Sequence, residues 1–165
     1  MASILKVNTI QDATNSNTAI SVDSSGHVSH PVRPYFSVKQ DSGQSVASST
    51  QTTILFTGTY SQRGSDYDSS SGAFTAPITG LYHFSADVQI ASRTQWQFFL
   101  VHSNSGGSAI NSYFGFSGNS GTYVTRASAS HLVQMTASDT IIVRVTHFLG
   151  SNQNVFGNFH GYFIG

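Results

Sequence analysis

The chain of 165 residues contains no cysteine, no glutamate and few charges of either sign: Asp, Lys and Arg together make up 8% of it. Without cysteine there is no disulfide framework, no thiolate metal site and no redox motif. Without glutamate, a catalytic carboxylate pair would have to come from seven scattered aspartates. Seven Lys and Arg balance those seven acids, and they form no cluster. Salt-dependent binding to nucleic acid needs several cations aimed at phosphates, so nucleic acid is not an expected partner. Leucine is also scarce and is outnumbered by phenylalanine. No basic start followed by a long apolar run marks a signal peptide, and no apolar run is long enough to span a membrane.

Ser and Thr fill more than a quarter of the chain, alongside 15 Gly and 12 Phe. Exchanging Glu and Leu for Ser, Thr, Gly and Phe removes helix formers and supplies strand and turn formers. The composition predicts an all-β protein of ordinary domain size.

Residues 1–32 differ in texture from the rest. Sparse aliphatics (Ile4, Leu5, Val7, Ile10, Ile20, Val22, Val28) are separated by turn signals at Asp12-Ala13-Thr14-Asn15 and Asp23-Ser24-Ser25-Gly26. Strands this short bury too little to fold alone, whereas three copies around an axis would share a core. His30-Pro31-Val32-Arg33-Pro34 then forms a stiff neck, because two prolines fix φ and exclude helix.

From residue 33 the pattern is a succession of strands: 35–39, 51–57, 95–101, 109–116, 123–135 with a bend, 140–148 and 154–164, with a Ser/Gly/Asp-rich loop over 61–71. The clearest stretch follows Pro77 and Thr79-Gly80. There Tyr82, Phe84, Ala86, Val88 and Ile90 alternate with His83, Ser85, Asp87 and Gln89, the period of a half-buried antiparallel strand. Adjacent apolar pairs such as Phe98-Phe99, Ile141-Ile142 and Tyr162-Phe163 give some strands a second apolar face, which something besides the sandwich core must cover.

The order of landmarks is specific: Tyr67-Asp68, then Gly72-x-Phe74-x-Ala76-Pro77, then Gly80-Leu81-Tyr82-x-Phe84, and near the end Phe159-His160-Gly161-Tyr162-Phe163. Over residues 33–165 this resembles the globular head of complement one-q, a tumour-necrosis-factor-like domain. The resemblance implies an antiparallel jelly-roll β-sandwich with Phe74, Pro77, Gly80, Tyr82, Phe84, Phe159 and Gly161 as its motif core. It also implies a homotrimer in which aromatics of one sheet line the threefold axis, here Phe99, Tyr113, Tyr162 and Tyr82. Residues 2–13 with Asp23-Ser24-Ser25-Gly26-x-Val28 resemble a segment of tailed-bacteriophage fibre and appendage proteins. That likeness implies a virion-attachment or fibre segment over 1–32, contacting other virion proteins.

Candidate chemistry is thin. His27 and His30, multiplied by three, would place six imidazoles near an axis, enough for an octahedral transition metal, although their spacing is wider than the phage His-x-His pattern. Asp66 and Asp68 resemble calcium-binding loop residues, but without further acids a turn role fits them better. No Gly-x-Ser-x-Gly elbow is present, and His83 and Asp87 share a strand face without a third partner. The expectation is a non-enzymatic virion protein without a cofactor: a short fibre, head fibre or capsid decoration. Its head would sit on the particle surface and stabilise the shell or bind a host-surface glycan or protein. A secreted bacterial adhesion module is the alternative.

Overall fold

In the computed structural model, the described residues are 6–90, 95–118 and 126–165; Ile4, Leu5 and the start of the strand expected from Tyr123 lie outside them. The chain divides into two compact units, residues 1–33 and 34–165. The first unit is a three-stranded antiparallel sheet of β1 (Thr9–Gln11), β2 (Thr18–Val22) and β3 (Val28–Ser29). Its turns are those the sequence marks: Asp12 accepts the N–H groups of Thr14 and Asn15, and Asp23 those of Ser25 and His27. No described residue of this unit is buried within it.

The second unit contains β4 (Tyr35–Val46), β5 (Thr52–Thr53), β6 (Gly58–Arg63), β7 (Tyr67–Asp68), β8 (Ala73–Thr75), β9 (Gly80–Ile90), β10 (Trp96–Ser103), β11 (Ala109–Gly118), β12 (Arg126–Met135), β13 (Thr140–His147) and β14 (Gln153–Phe163). No helix occurs among the described residues. One sheet runs β12-β9-β14-β4-β6; the other runs β11-β10-β13-β8-β7, with β5 added on β13. All pairings are antiparallel, and the closing strand β14 lies between β9 and β4. The result is a jelly-roll sandwich.

Strict alternation on β9 puts Tyr82, Phe84, Ala86, Val88 and Ile90 at zero exposure. Opposite them stand Trp96, Phe98 and Leu100 of β10 and Ile141, Val143 and Val145 of β13, also buried. The motif aromatics form one packed group: Phe36 stacks on Phe74 at 4.9 Å and meets Phe159 edge-on at 4.8 Å. Phe74 in turn meets Tyr82 at 5.6 Å and Phe84 at 5.5 Å. Gly161 is required by this group, since a Cβ there would lie 2.4 Å from the Phe36 ring and 2.6 Å from that of Phe84. A Cβ on Gly80 would lie 2.4 Å from the Phe163 ring. Pro77 does not belong to the core: it is exposed, in the bend that precedes β9.

Two segments differ from expectation. Only Thr52 and Thr53 of the predicted 51–57 strand pair as a strand, although Ile54 and Phe56 are fully buried. Ile54 still donates its N–H to the Val143 carbonyl, but the next two residues are held by side chains: the Leu55 N–H donates to Gln44 Oε1, and the Phe56 N–H to the Tyr67 hydroxyl oxygen. Conversely, the edge strand β6 (Gly58–Arg63) runs into the start of the segment 61–71 expected as loop.

Candidate functional site

The outer face of the five-stranded sheet gathers most of the polar and aromatic side chains that the core does not use. Its register arranges them in rows across the strands. The first row, at the end where the chain enters this unit, reads Leu132, His83, Tyr162, Tyr35, Arg63. The second reads Ser130, Ser85, His160, Ser37, Ser61. The third reads Ser128, Asp87, Asn158, Lys39, and beyond it Arg126, Gln89 and Phe156 align. The face therefore grades from aromatic and aliphatic, through hydroxyl and imidazole, to ionic and amide.

In the first row Tyr162 is 49% exposed and Leu132 58%, large apolar surfaces on the outer face. The His83 ring lies 5.0 Å from that of Tyr162, its Nε2 is 2.6 Å from Ser130 Oγ, and the Arg63 guanidinium covers the Tyr35 ring at 5.6 Å. In the second row His160 Nδ1 is 2.8 Å from Ser37 Oγ. Burial pushes the His160 pKa below its ordinary value, against an opposing pull from the Asp87 carboxylate.

At the far end Arg126 clamps Asp87 with two nitrogens, Nη2 at 2.6 Å from Oδ1 and Nε at 2.9 Å from Oδ2, while Ser128 Oγ donates to the same Oδ2 at 2.8 Å. Burial raises the Asp87 pKa, but Arg126 and Ser128 outweigh it and leave the carboxyl below its ordinary range. Lys39 pairs with Asp41 and lies 4.8 Å above the Tyr60 ring. Between these groups is a cavity of about 300 Å³ lined by Tyr60, Asp87, Gln89, Arg126, Phe156 and Asn158, among others.

The four aromatics expected at one axial surface do not share one. Tyr82 has zero exposure, and its hydroxyl donates to the Ile78 carbonyl at 2.7 Å, so it has no surface to offer a neighbour. The reason is parity: Tyr82 follows the inward phase of Phe84 and Ala86. Phe99 lies on the opposite sheet, edge-on to Phe114 at 5.2 Å. Tyr113 of that sheet's end strand packs against the core and meets His131 of β12 at 5.2 Å. Tyr162 alone of the four stands on the outer face of the five-stranded sheet.

His27 Nδ1 is 2.8 Å from Asp23 Oδ2, which binds the imidazole to its own turn. Asp68 accepts from the hydroxyls of Ser70 and Ser71, each at 2.7 Å, as a turn-forming aspartate does. Among the described residues no three His, Asp, Glu or Cys side chains converge as a metal site would require. The Asp87–Arg126 clamp was not read from the sequence, because nothing local signals that β9 and β12 pair. The polar phase of β9 was its visible half.

A family model for the C1q domain matches residues 35–164. No curated protein matches the chain by sequence. Among solved structures, the globular domain of zebrafish complement 1qA shares 18% identity with a TM-score of 0.64, covering 81% of this chain and 98% of the other. The PRD1 vertex protein P5 shares 16% at a TM-score of 0.61, with 80% and 97% covered. Murine APRIL at pH 8.0 shares 14% at 0.54, with 78% and 98% covered. At these identities the likenesses describe the fold.

Proposed function

The chain belongs to the C1q-domain family, and from that premise we propose that it is a non-enzymatic, homotrimeric structural protein of a virion. Residues 34–165 form its outward-facing head, and residues 1–33 the segment that attaches it to other particle proteins. The observation that carries the self-association is the first unit itself. It has a three-stranded sheet but, among its described residues, none that is buried, with Ile10 at 48% and Val28 at 61% exposure. Sheets this small are unstable in water unless their apolar residues are covered, and identical copies around an axis cover them. The first row of the head, with Leu132 and Tyr162, supplies a second surface of the same kind.

A particle location is supported by the likeness of the leader to phage appendage segments and by the fold shared with a vertex protein. The head then stabilises the shell or meets a host surface. Labelling the chain at Gly165 and imaging purified particles tests the location: regular labelling of the particle surface is expected. Label on empty bacterial envelopes, with bare particles, would overturn it in favour of an adhesion module.

A further inference from the structure

The face that the proposed trimer covers, the outer face of the five-stranded sheet, carries two imidazoles on adjacent strands. His83 of β9 stands in the first row, opposite Tyr162, and His160 of β14 in the second, opposite Ser85. Each engages one ring nitrogen within the protomer: His83 Nε2 is 2.6 Å from Ser130 Oγ, and His160 Nδ1 is 2.8 Å from Ser37 Oγ. The second ring nitrogen of each has no hydrogen-bond partner among the described residues. In a free protomer water reaches these nitrogens, and a neighbouring subunit laid over the face removes it. A neutral ring accepts that loss at modest cost. An imidazolium carries a full charge and two N–H donors, so its burial without a partner is far more costly.

The surrounding groups supply no counter-ion. Asp87 of β9, whose pull reaches His160, is held by Arg126 of β12. Lys39 of β4 is cationic and paired with Asp41, and Arg63 of β6 adds a further cation at the end of the first row. Tyr35 and Tyr162 are the remaining titratable neighbours. His131, next to Leu132 on β12, lies on the other face of its strand against Tyr113. The His83–Tyr162 ring contact at 5.0 Å is the same before and after assembly, so it favours neither state. Burial already holds the His160 pKa below its ordinary value, and cover by a subunit extends that effect. Threefold assembly repeats the pair about one axis, where added positive charges repel.

We propose that His83 and His160 are an acid-operated release switch of the trimer: neutral, they pack between subunits; protonated, they part the subunits while each jelly roll stays folded. The proposal rests on the reading of the chain as a trimer that covers this face. The sign follows from linkage. Rings harder to protonate in the assembly than in the free protomer contribute to assembly above the ordinary histidine range, and that contribution is lost as pH falls through it.

Sedimentation of the full chain from about pH 7.5 to about pH 5.5, with far-ultraviolet spectra of the same samples, tests this. The dissociation constant is expected to rise tenfold or more, roughly, with the spectrum unchanged, and the double variant His83→Gln, His160→Gln is expected to stay assembled throughout. If the double variant does not assemble near neutrality, the single variants decide: each is expected to show a smaller pH response than the parent chain. An equal response in parent and variants overturns the switch. A trimer indifferent to pH refutes the switch alone, whereas a chain already monomeric at neutral pH refutes the trimer and the switch together.

Discussion

His160 gives the five-stranded sheet an acid-sensitive component. Its Nδ1 bonds Ser37 Oγ at 2.8 Å, and burial holds its pKa below the ordinary 6.5, partly offset by Asp87. A folded pKa below the unfolded one means the neutral imidazole is favoured by folding. The contribution is therefore complete above 6.5 and is lost as pH falls through the lowered value. The melting temperature is expected to drop as the buffer is taken from neutral to below 6.5, and His160→Gln is expected to flatten that slope. Equal slopes in the two proteins would show that the acid sensitivity lies elsewhere. Sequence reading reaches such residues unevenly. The Tyr67-Asp68 pair was legible as a landmark, but not the task of Tyr67, whose hydroxyl oxygen accepts the Phe56 N–H and whose pKa burial pushes to about 12. That bond spans two segments of unrelated pattern, and no local signal encodes it.

At the scale of a strand, parity decides the consequence of a substitution, and β14 shows this within four residues. Phe159 is fully buried against Phe36, Phe56 and Phe84, whereas Tyr162 is half exposed on the outer face. Phe159→Ala is expected to cost about 3–5 kcal/mol of folding stability, the transfer term plus the cavity left behind. Tyr162→Asp is expected to leave the sandwich folded, with its far-ultraviolet spectrum and core intact, and to break assembly by placing an unpaired charge between subunits. Denaturant melts and sedimentation of the two variants check the contrast; a Tyr162→Asp protein that stays fully assembled would remove the first row from the interface. Strict alternation made β9 legible from its residues alone. The 51–57 segment departs from a strand because only Ile54 of its apolar run bonds the β13 backbone, while Leu55 and Phe56 are anchored by the Gln44 and Tyr67 side chains. Strand β6 was missed because an edge strand exposed from Thr59 to Arg63 has the composition of a loop.

For the whole molecule, the scarcity of charge determines how the assembly should respond to its solvent. Seven acidic and seven Lys and Arg side chains serve all 165 residues, and four of the acids, Asp23, Asp41, Asp87 and Asp139, already face a basic partner within the chain. Few ion pairs remain to hold subunits together, so the contacts must come from aliphatic and aromatic surface of the kind seen at Ile10, Val28, Leu132 and Tyr162. Salt screens exposed charges over roughly 10 Å at 0.1 M, but it does not weaken apolar burial. The proposed trimer is therefore expected to persist on dilution into high salt, with interfaces that resemble a core cut in half. Because none of the described residues of the first unit is buried, its ordering should follow assembly, and a chain lacking residues 1–33 should lose affinity between heads while keeping the jelly roll. Sedimentation of both forms across a salt series measures this, and a well-folded monomer of the full chain at low concentration and high salt would refute the apolar trimer.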